Sequence, residues 1–365
     1  MTRGLILSAV ALLVPTTPVF APRQLAVPAV GFNLVENEEG RGFGSQAVLA
    51  RLDRLADTGA SCVALVLAAR LRGLDDDSPR APALPDAAQL RRLTDHAHRR
   101  GLQVLVVPHL WIDGDLWRGD LRRSAARARA FFDGYGAFID EVATRAEQAG
   151  VDGLSFGVEL KGLTADPAND ARFFALIGRL RSRFSGLLTY SANWDEVAQV
   201  RFWDQLDFIS VNGFAPLTAS LRPTPRELDL GAAAMVQELT GLATRFARPV
   251  LLIEAGYKAT TDNAREPWVW PASGTMPVDA DAQLRAYRAL LQALRKAPRI
   301  VGVLFWQIDT GADGTPPRPL EPAWGFSPLD RSAEQEVRKH AAWAREQRAV
   351  GRVVSPPPAT PTTRP

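Results

Sequence analysis

Eight short apolar runs, separated by amphipathic stretches, constrain this chain more than anything else in its 365 residues. They are Val27–Leu34, Ser61–Ala68, Leu102–His109, Val151–Val158, Gly186–Ser191, Leu206–Asn212, Pro249–Glu254 and Ile300–Trp306. Each is rich in Val, Ile, Leu or Phe and none alternates cleanly with polar residues. Such runs suit strands covered on both faces, as in a parallel sheet. The stretches between them read as helices: Ala47–Thr58, Asp86–Arg100, Ser124–Ala149, Ala171–Phe184, Pro225–Phe246, Asp279–Lys296 and Ser332–Arg348 carry an apolar stripe, a polar start or a terminal breaker. The fifth connection, Asn193–Gln205, is short. Strand followed by helix eight times over predicts an α/β fold, a single-domain (β/α)8 TIM barrel over residues 23–350. A doubly wound sheet is the main competitor, but its phosphate-binding glycine loop is missing. The first run leads into Asn33-Leu34-Val35-Glu36, and Gly40-Arg41-Gly42-Phe43-Gly44 lacks the G-x-G-x-x-G spacing.

The ends read differently. Residues 1–22 combine Arg3, the ten-residue apolar run Leu5–Val14 and small residues at Val19-Phe20-Ala21, a pattern expected of a signal peptide or N-terminal anchor and hence of an exported protein. The run is too short for a membrane span. No cysteine follows it, which excludes a lipoprotein anchor. Residues 351–365 are rich in Pro and Thr and are expected to be a disordered tail. Net charge is only +3, and the arginine pairs lie in mixed-charge helical stretches, so nucleic acid is not an expected partner. The one cysteine, Cys62, lies inside an apolar run and reads as a core residue. The four histidines, His96, His98, His109 and His340, show no metal-binding spacing, and neither metal nor cofactor is expected. A monomer is expected.

In a barrel of this kind chemistry gathers at the C-terminal ends of the strands. The residues there are Asn33 and Glu36; His109, Trp111, Asp113 and Trp117; Glu159; Ser191, Asn193 and Trp194; Asn212 and Phe214; Glu254 and Tyr257; and Trp306 and Asp309. Tryptophan faces and amides on one rim suit a sugar ring, which needs apolar surfaces to stack on and partners for its hydroxyls. Glu159 and Glu254 each follow a run too apolar to tolerate an idle charge. From strand ends four and seven they can sit about 5–5.5 Å apart, the spacing of a retaining glycosidase with one acid/base and one nucleophile.

Several segments together resemble glycoside hydrolase family 113. They are Asp113–Leu121 (DGDLWRGDL), Phe156–Leu160 (FGVEL), Leu188–Glu196 (LTYSANWDE), Phe202–Leu217 (FWDQLDFISVNGFAPL), Leu252–Tyr257 (LIEAGY), Glu266–Trp270 (EPWVW) and Leu304–Trp306 with Gly325-Phe326-Ser327-Pro328. The resemblance implies an endo-acting β-mannanase or near relative, with Glu159 as acid/base and Glu254 as nucleophile. It places Trp306 under the reacting sugar and Asn193, Trp194, Trp117 and Trp268 along subsites. The chain departs from the family's wider clan at Val158, where an asparagine often precedes the acid/base. It departs again at Asn212 and Phe214, where the family pattern tends to carry Asp and Tyr. Three readings therefore stand: a retaining hydrolase of a mannan-like β-linked polysaccharide, a carbohydrate-binding barrel without turnover, and a transglycosylase using the same two carboxylates.

Overall fold

The computed structural model describes residues 24–36, 42–82, 84–114, 116–270, 277–311 and 323–350. The expected signal segment (1–22) and tail (351–365) lie outside the described residues. Eight strands, β1 (Ala29–Val35), β2 (Cys62–Leu71), β3 (Gln103–Ile112), β4 (Gly153–Val158), β5 (Leu187–Asn193), β6 (Ile209–Asn212), β7 (Val250–Ala255) and β8 (Ile300–Asp309), form a closed barrel in chain order. Every neighbouring pair is parallel, including β8 with β1. The expected (β/α)8 barrel is therefore the observed one. β2, β3 and β8 run three residues past their predicted ends, so Trp111 lies within β3 rather than beyond it.

The helices are α1 (Ala47–Ala56), α2 (Ala87–Arg99), α3 (Ala125–Ala149), the single turn α4 (Lys161–Thr164), α5 (Asp170–Arg181), α6 (Pro225–Arg245), α7 (Ala280–Leu294) and α8 (Glu334–Ala349). Local chemistry sets their ends. Asp86 with Gln89, and Thr224 with Glu227, form reciprocal capping boxes at the starts of α2 and α6. Gly150, at φ 73°, closes α3 in the left-handed conformation that glycine adopts without penalty. Between β5 and β6 there is no α-helix, only a 3-10 turn at Trp203–Gln205. Trp203 is fully buried there, donates from Nε1 to the Val197 carbonyl (3.0 Å), and packs with Phe202 and Tyr190 where a helix would otherwise cover the strands.

The barrel interior is graded along its axis. Leu25, Val27, Ala29, Cys62, Ala64, Leu105, Leu187, Phe208, Leu251, Ile253 and Leu304 meet in one apolar cluster fed from all sides of the barrel. Hydroxyls come next: Ser155 Oγ lies 2.8 Å from Ser191 Oγ, and Thr189 donates to Ser210 (2.8 Å). These side chains pair with one another. Beyond them lie Asn33, His109, Glu159, Asn212 and Glu254.

Three register shifts mark the polar end. Each inserts one extra residue in one strand relative to its neighbour. They fall in β4 before Val158, in β7 before Glu254 and in β8 around Trp306. A bulge of this kind breaks the two-residue alternation and re-aims the next side chain. In β7 the effect is decisive. Leu251 and Ile253 belong to the interior cluster, so plain alternation would turn Glu254 towards the helices.

Candidate active site

Glu159 follows β4 with a backbone φ of 50°, a left-handed conformation unusual for a non-glycine residue. Two hydrogen bonds to β5 hold it there. Its N–H donates to the Ser191 carbonyl (2.8 Å), and the next N–H, of Leu160, donates to the Tyr190 hydroxyl (2.6 Å). Tyr190 in turn donates to the fully buried Glu196 (2.6 Å), which also accepts from Thr164 (2.6 Å) and from the Asn193 N–H (3.0 Å). Burial pushes Glu196 up to about 7 against the pull of these bonds. One carboxyl group thus ties the loop after β4 to the end of β5.

The side chain of Glu159 receives the Trp117 indole N–H (3.1 Å) and the Asn212 amide (2.9 Å), and the Arg118 guanidinium lies 3.8 Å away. Trp117 therefore contacts the carboxyl directly, beyond the subsite role expected of it. Its ring lies over Gly119, where an added Cβ would come within 2.4 Å of it. Glu254 is buried, with its Oε1 3.1 Å from His109 Nε2. The approach is not aligned as a hydrogen bond, and each of these two atoms lacks another partner. Burial raises the Glu254 pKa to about 7, while the Arg118 charge and the Asn212 side chain oppose the rise. Desolvation, rather than repulsion between the two carboxyls, is the leading cause of the shift at Glu254.

His109 is fully buried, stacked on Trp306 (ring centroids 5.5 Å, 6° between planes) and tilted against Trp111. Burial, and then the Arg118 charge, hold it well below its ordinary pKa, so its imidazole is neutral. Trp306 packs with Val66, Phe214 and Phe326. Asn33 donates from Nδ2 to the Ile253 carbonyl (2.8 Å), bracing the residue before Glu254 from β1. Trp194 and Trp268 pack together with centroids 5.6 Å apart, and Trp268 stays 42% exposed, a ledge beside the mouth. Asn193 is half-buried at the end of β5, and its Oδ1 accepts the Trp194 N–H (2.9 Å).

One expected site residue lies elsewhere. Tyr257 is wholly buried in the core and packs edge-on against Tyr287 of α7, because the extra residue before Glu254 leaves Ala255 and Tyr257 on the helix-facing side. Phe214 is buried in the cluster that holds Trp306, packed against Phe326. Sequence reasoning missed Arg118 and Glu196. Arg118 was hidden in a chain with 43 Lys and Arg residues; its one signal is its place between Trp117 and Gly119 in a loop following a barrel strand. Among the described residues, no group of three or more His, Cys, Asp or Glu side chains is placed to hold a metal ion, and no helix is long and apolar enough to cross a membrane.

A closed parallel barrel whose mouth holds two carboxyls from strand ends four and seven, beside a tryptophan on strand eight, defines the chain as a glycoside hydrolase of the barrel type. The model of Glycoside Hydrolase Family 113 matches residues 35–313, and the chain belongs to that family. Its fold is similar to a GH113 β-1,4-mannanase (TM-score 0.74, 18% identity, 87% of this chain and 98% of that one). It is also similar to the GH113 β-mannanase of Alicyclobacillus acidocaldarius in complex with ManMIm (TM-score 0.72, 21% identity, 86% and 98%). A GH5_18 protein of Streptomyces cattleya in complex with Manβ1-4GlcNAc is more distant (TM-score 0.58, 18% identity, 86% and 80%). No curated protein matches the sequence.

Proposed function

We propose that this glycoside hydrolase cleaves a β-linked mannan or related polysaccharide by double displacement. Glu254 attacks the anomeric carbon and forms a glycosyl ester while Glu159 gives its proton to the departing oxygen. Glu159 then takes a proton from the water that attacks the same carbon, and Glu254 leaves. The observation that carries this reading is Asn212. Its amide donates to Glu159 and bears on Glu254 as well, so the carboxyls face each other across one amide. Two carboxyls brought to one short side chain suit the close spacing of a retaining pair, about 5–5.5 Å. A β-mannan is favoured because the GH113 structures similar to this one are described as β-mannanases. The Trp194–Trp268 ledge supports a chain-like substrate extending beyond the cleaved bond. Saccharide stacking on these rings and on Trp306 needs no cofactor.

The test is reducing-end release from β-mannan, glucomannan, xylan and β-glucan, with the wild type beside Glu254→Gln. Release from mannan by the wild type alone, at a rate at least about a thousandfold above the variant, supports the reading. Equal release by both sinks it, and release confined to xylan or β-glucan replaces the substrate. Longer products in the presence of an acceptor sugar would point to transfer in place of hydrolysis. The Leu5–Val14 run supports export of the enzyme to where such polymers lie, testable by recovery of the native protein outside the cytoplasm.

A further inference from the structure

We propose that Arg118 fixes the tautomer of His109 and so makes its Nε2–H the donor that faces Glu254. This rests on the reading of Glu254 as the attacking carboxylate and adds a positioning residue to it. The Arg118 guanidinium lies 3.4 Å from His109 Nδ1. Arginine has only donors, so Nδ1 must accept. A neutral imidazole carries one ring proton, and with Nδ1 accepting, that proton sits on Nε2. Nε2 is 3.1 Å from Glu254 Oε1, and these are two of the buried side-chain atoms that lack an aligned partner. With the other tautomer a lone pair, not an N–H, would face the carboxylate oxygen at that distance.

The assembly is held rigidly enough to keep this choice. Trp306 and Trp111 flank the His109 ring. Arg118 is itself buried and lies over the Trp111 ring at 4.7 Å. The imidazole comes from β3 and the guanidinium from the turn that follows it, so the short segment His109–Arg118 supplies both the ring nitrogen that faces Glu254 and the group that orients it.

The test is long-range proton–nitrogen NMR of the full chain carrying 15N-histidine, at pH 7. His109→Gln assigns the signal. The wild type should show a pyrrole-like Nε2 and a pyridine-like Nδ1 at His109. In Arg118→Met the Nδ1–H tautomer should appear, and kcat on the hydrolysed polymer should fall about 10- to 100-fold, with KM changing less. Arg118→Lys, which restores a donor, should return the wild-type tautomer. A wild-type His109 protonated on Nδ1, or an Arg118→Met spectrum identical to the wild type, overturns the proposal. The wild-type spectrum decides alone if the Met variant does not fold. Full hydrolysis by Glu254→Gln would instead sink the assignment of Glu254, with the tautomer still readable.

Discussion

At the scale of single residues, the site concentrates its tension in Glu254. Its carboxyl is buried to the point of a pKa near 7, yet attack requires the ionised form. The groups that bear on it are Arg118 and His109 from β3 and its turn, Glu159 after β4 and the neutral amide of Asn212 from β6. The acid limb of kcat/KM is therefore expected near pH 7, well above an ordinary carboxylate, and a limb near pH 4.5 would contradict the burial argument. The same shift has a stability sign. Folded Glu254 holds its proton to higher pH than the unfolded chain does, so its contribution is intact below about pH 4.5 and is lost as pH rises through 7. By pH 8 the loss is about 3 kcal/mol. Glu254→Gln is expected to melt higher than the wild type at pH 8 and no higher at pH 4, as calorimetry at the two pH values would register. Both glutamates were legible in the sequence, because a charge closing an apolar run demands a reason. Arg118 was not, because nothing local separates a buried arginine from an exposed one.

At the scale of elements, the strands were readable and their registers were not. A strand buried on both faces carries no alternation, so an extra residue in β4, β7 or β8 leaves no trace in the pattern. Tyr257 shows the cost: placed in the mouth by its distance from β7, it belongs to the layer under α7. The link between the ends of β4 and β5 is equally a matter of tertiary contact. Tyr190→Phe removes the acceptor for the Leu160 N–H and a donor to Glu196, two buried losses worth about 2–4 kcal/mol together. It is expected to lower the melting temperature and to reduce kcat more than KM, because the loop it anchors carries Glu159. The Trp194–Trp268 ledge should behave in the opposite way. Trp268→Ala is expected to raise KM for a polymer about tenfold, with kcat nearly unchanged, from the loss of about 1–1.5 kcal/mol of ring contact. An equal KM in steady-state assays would remove the ledge from the binding path.

For the whole molecule, pH should act through a few buried acids rather than through net charge. Glu36, Glu196 and Glu254 are each raised to about 7, with burial the leading cause. Each withdraws stability as pH climbs from about 4.5 to 7. Asp76 and Glu227, held below their ordinary values by hydrogen bonds, and His109 and His340, held below theirs by burial, withdraw theirs in acid, the histidines from about pH 6.5 downwards. Urea midpoints are expected to peak near pH 5–6 and to decline by pH 8, and Glu196→Gln with Glu254→Gln should flatten that decline; a midpoint still rising at pH 8 would refute it. The barrel was foreseeable as a whole because eight buried strands leave few ways to close a parallel sheet. The helix missing between β5 and β6 was foreshadowed only by a short connection. The extra residue in β7 has a last consequence, genetic rather than energetic. An in-frame loss of one codon among those for Val250–Ile253 would remove the need for the bulge, and plain alternation would then keep the attacking carboxylate facing the barrel opposite Asn212, at the cost of one apolar side chain. In this barrel the aim of the attacking group is written in spacing as much as in residue identity, and a descendant could shed the bulge with no functional residue changed.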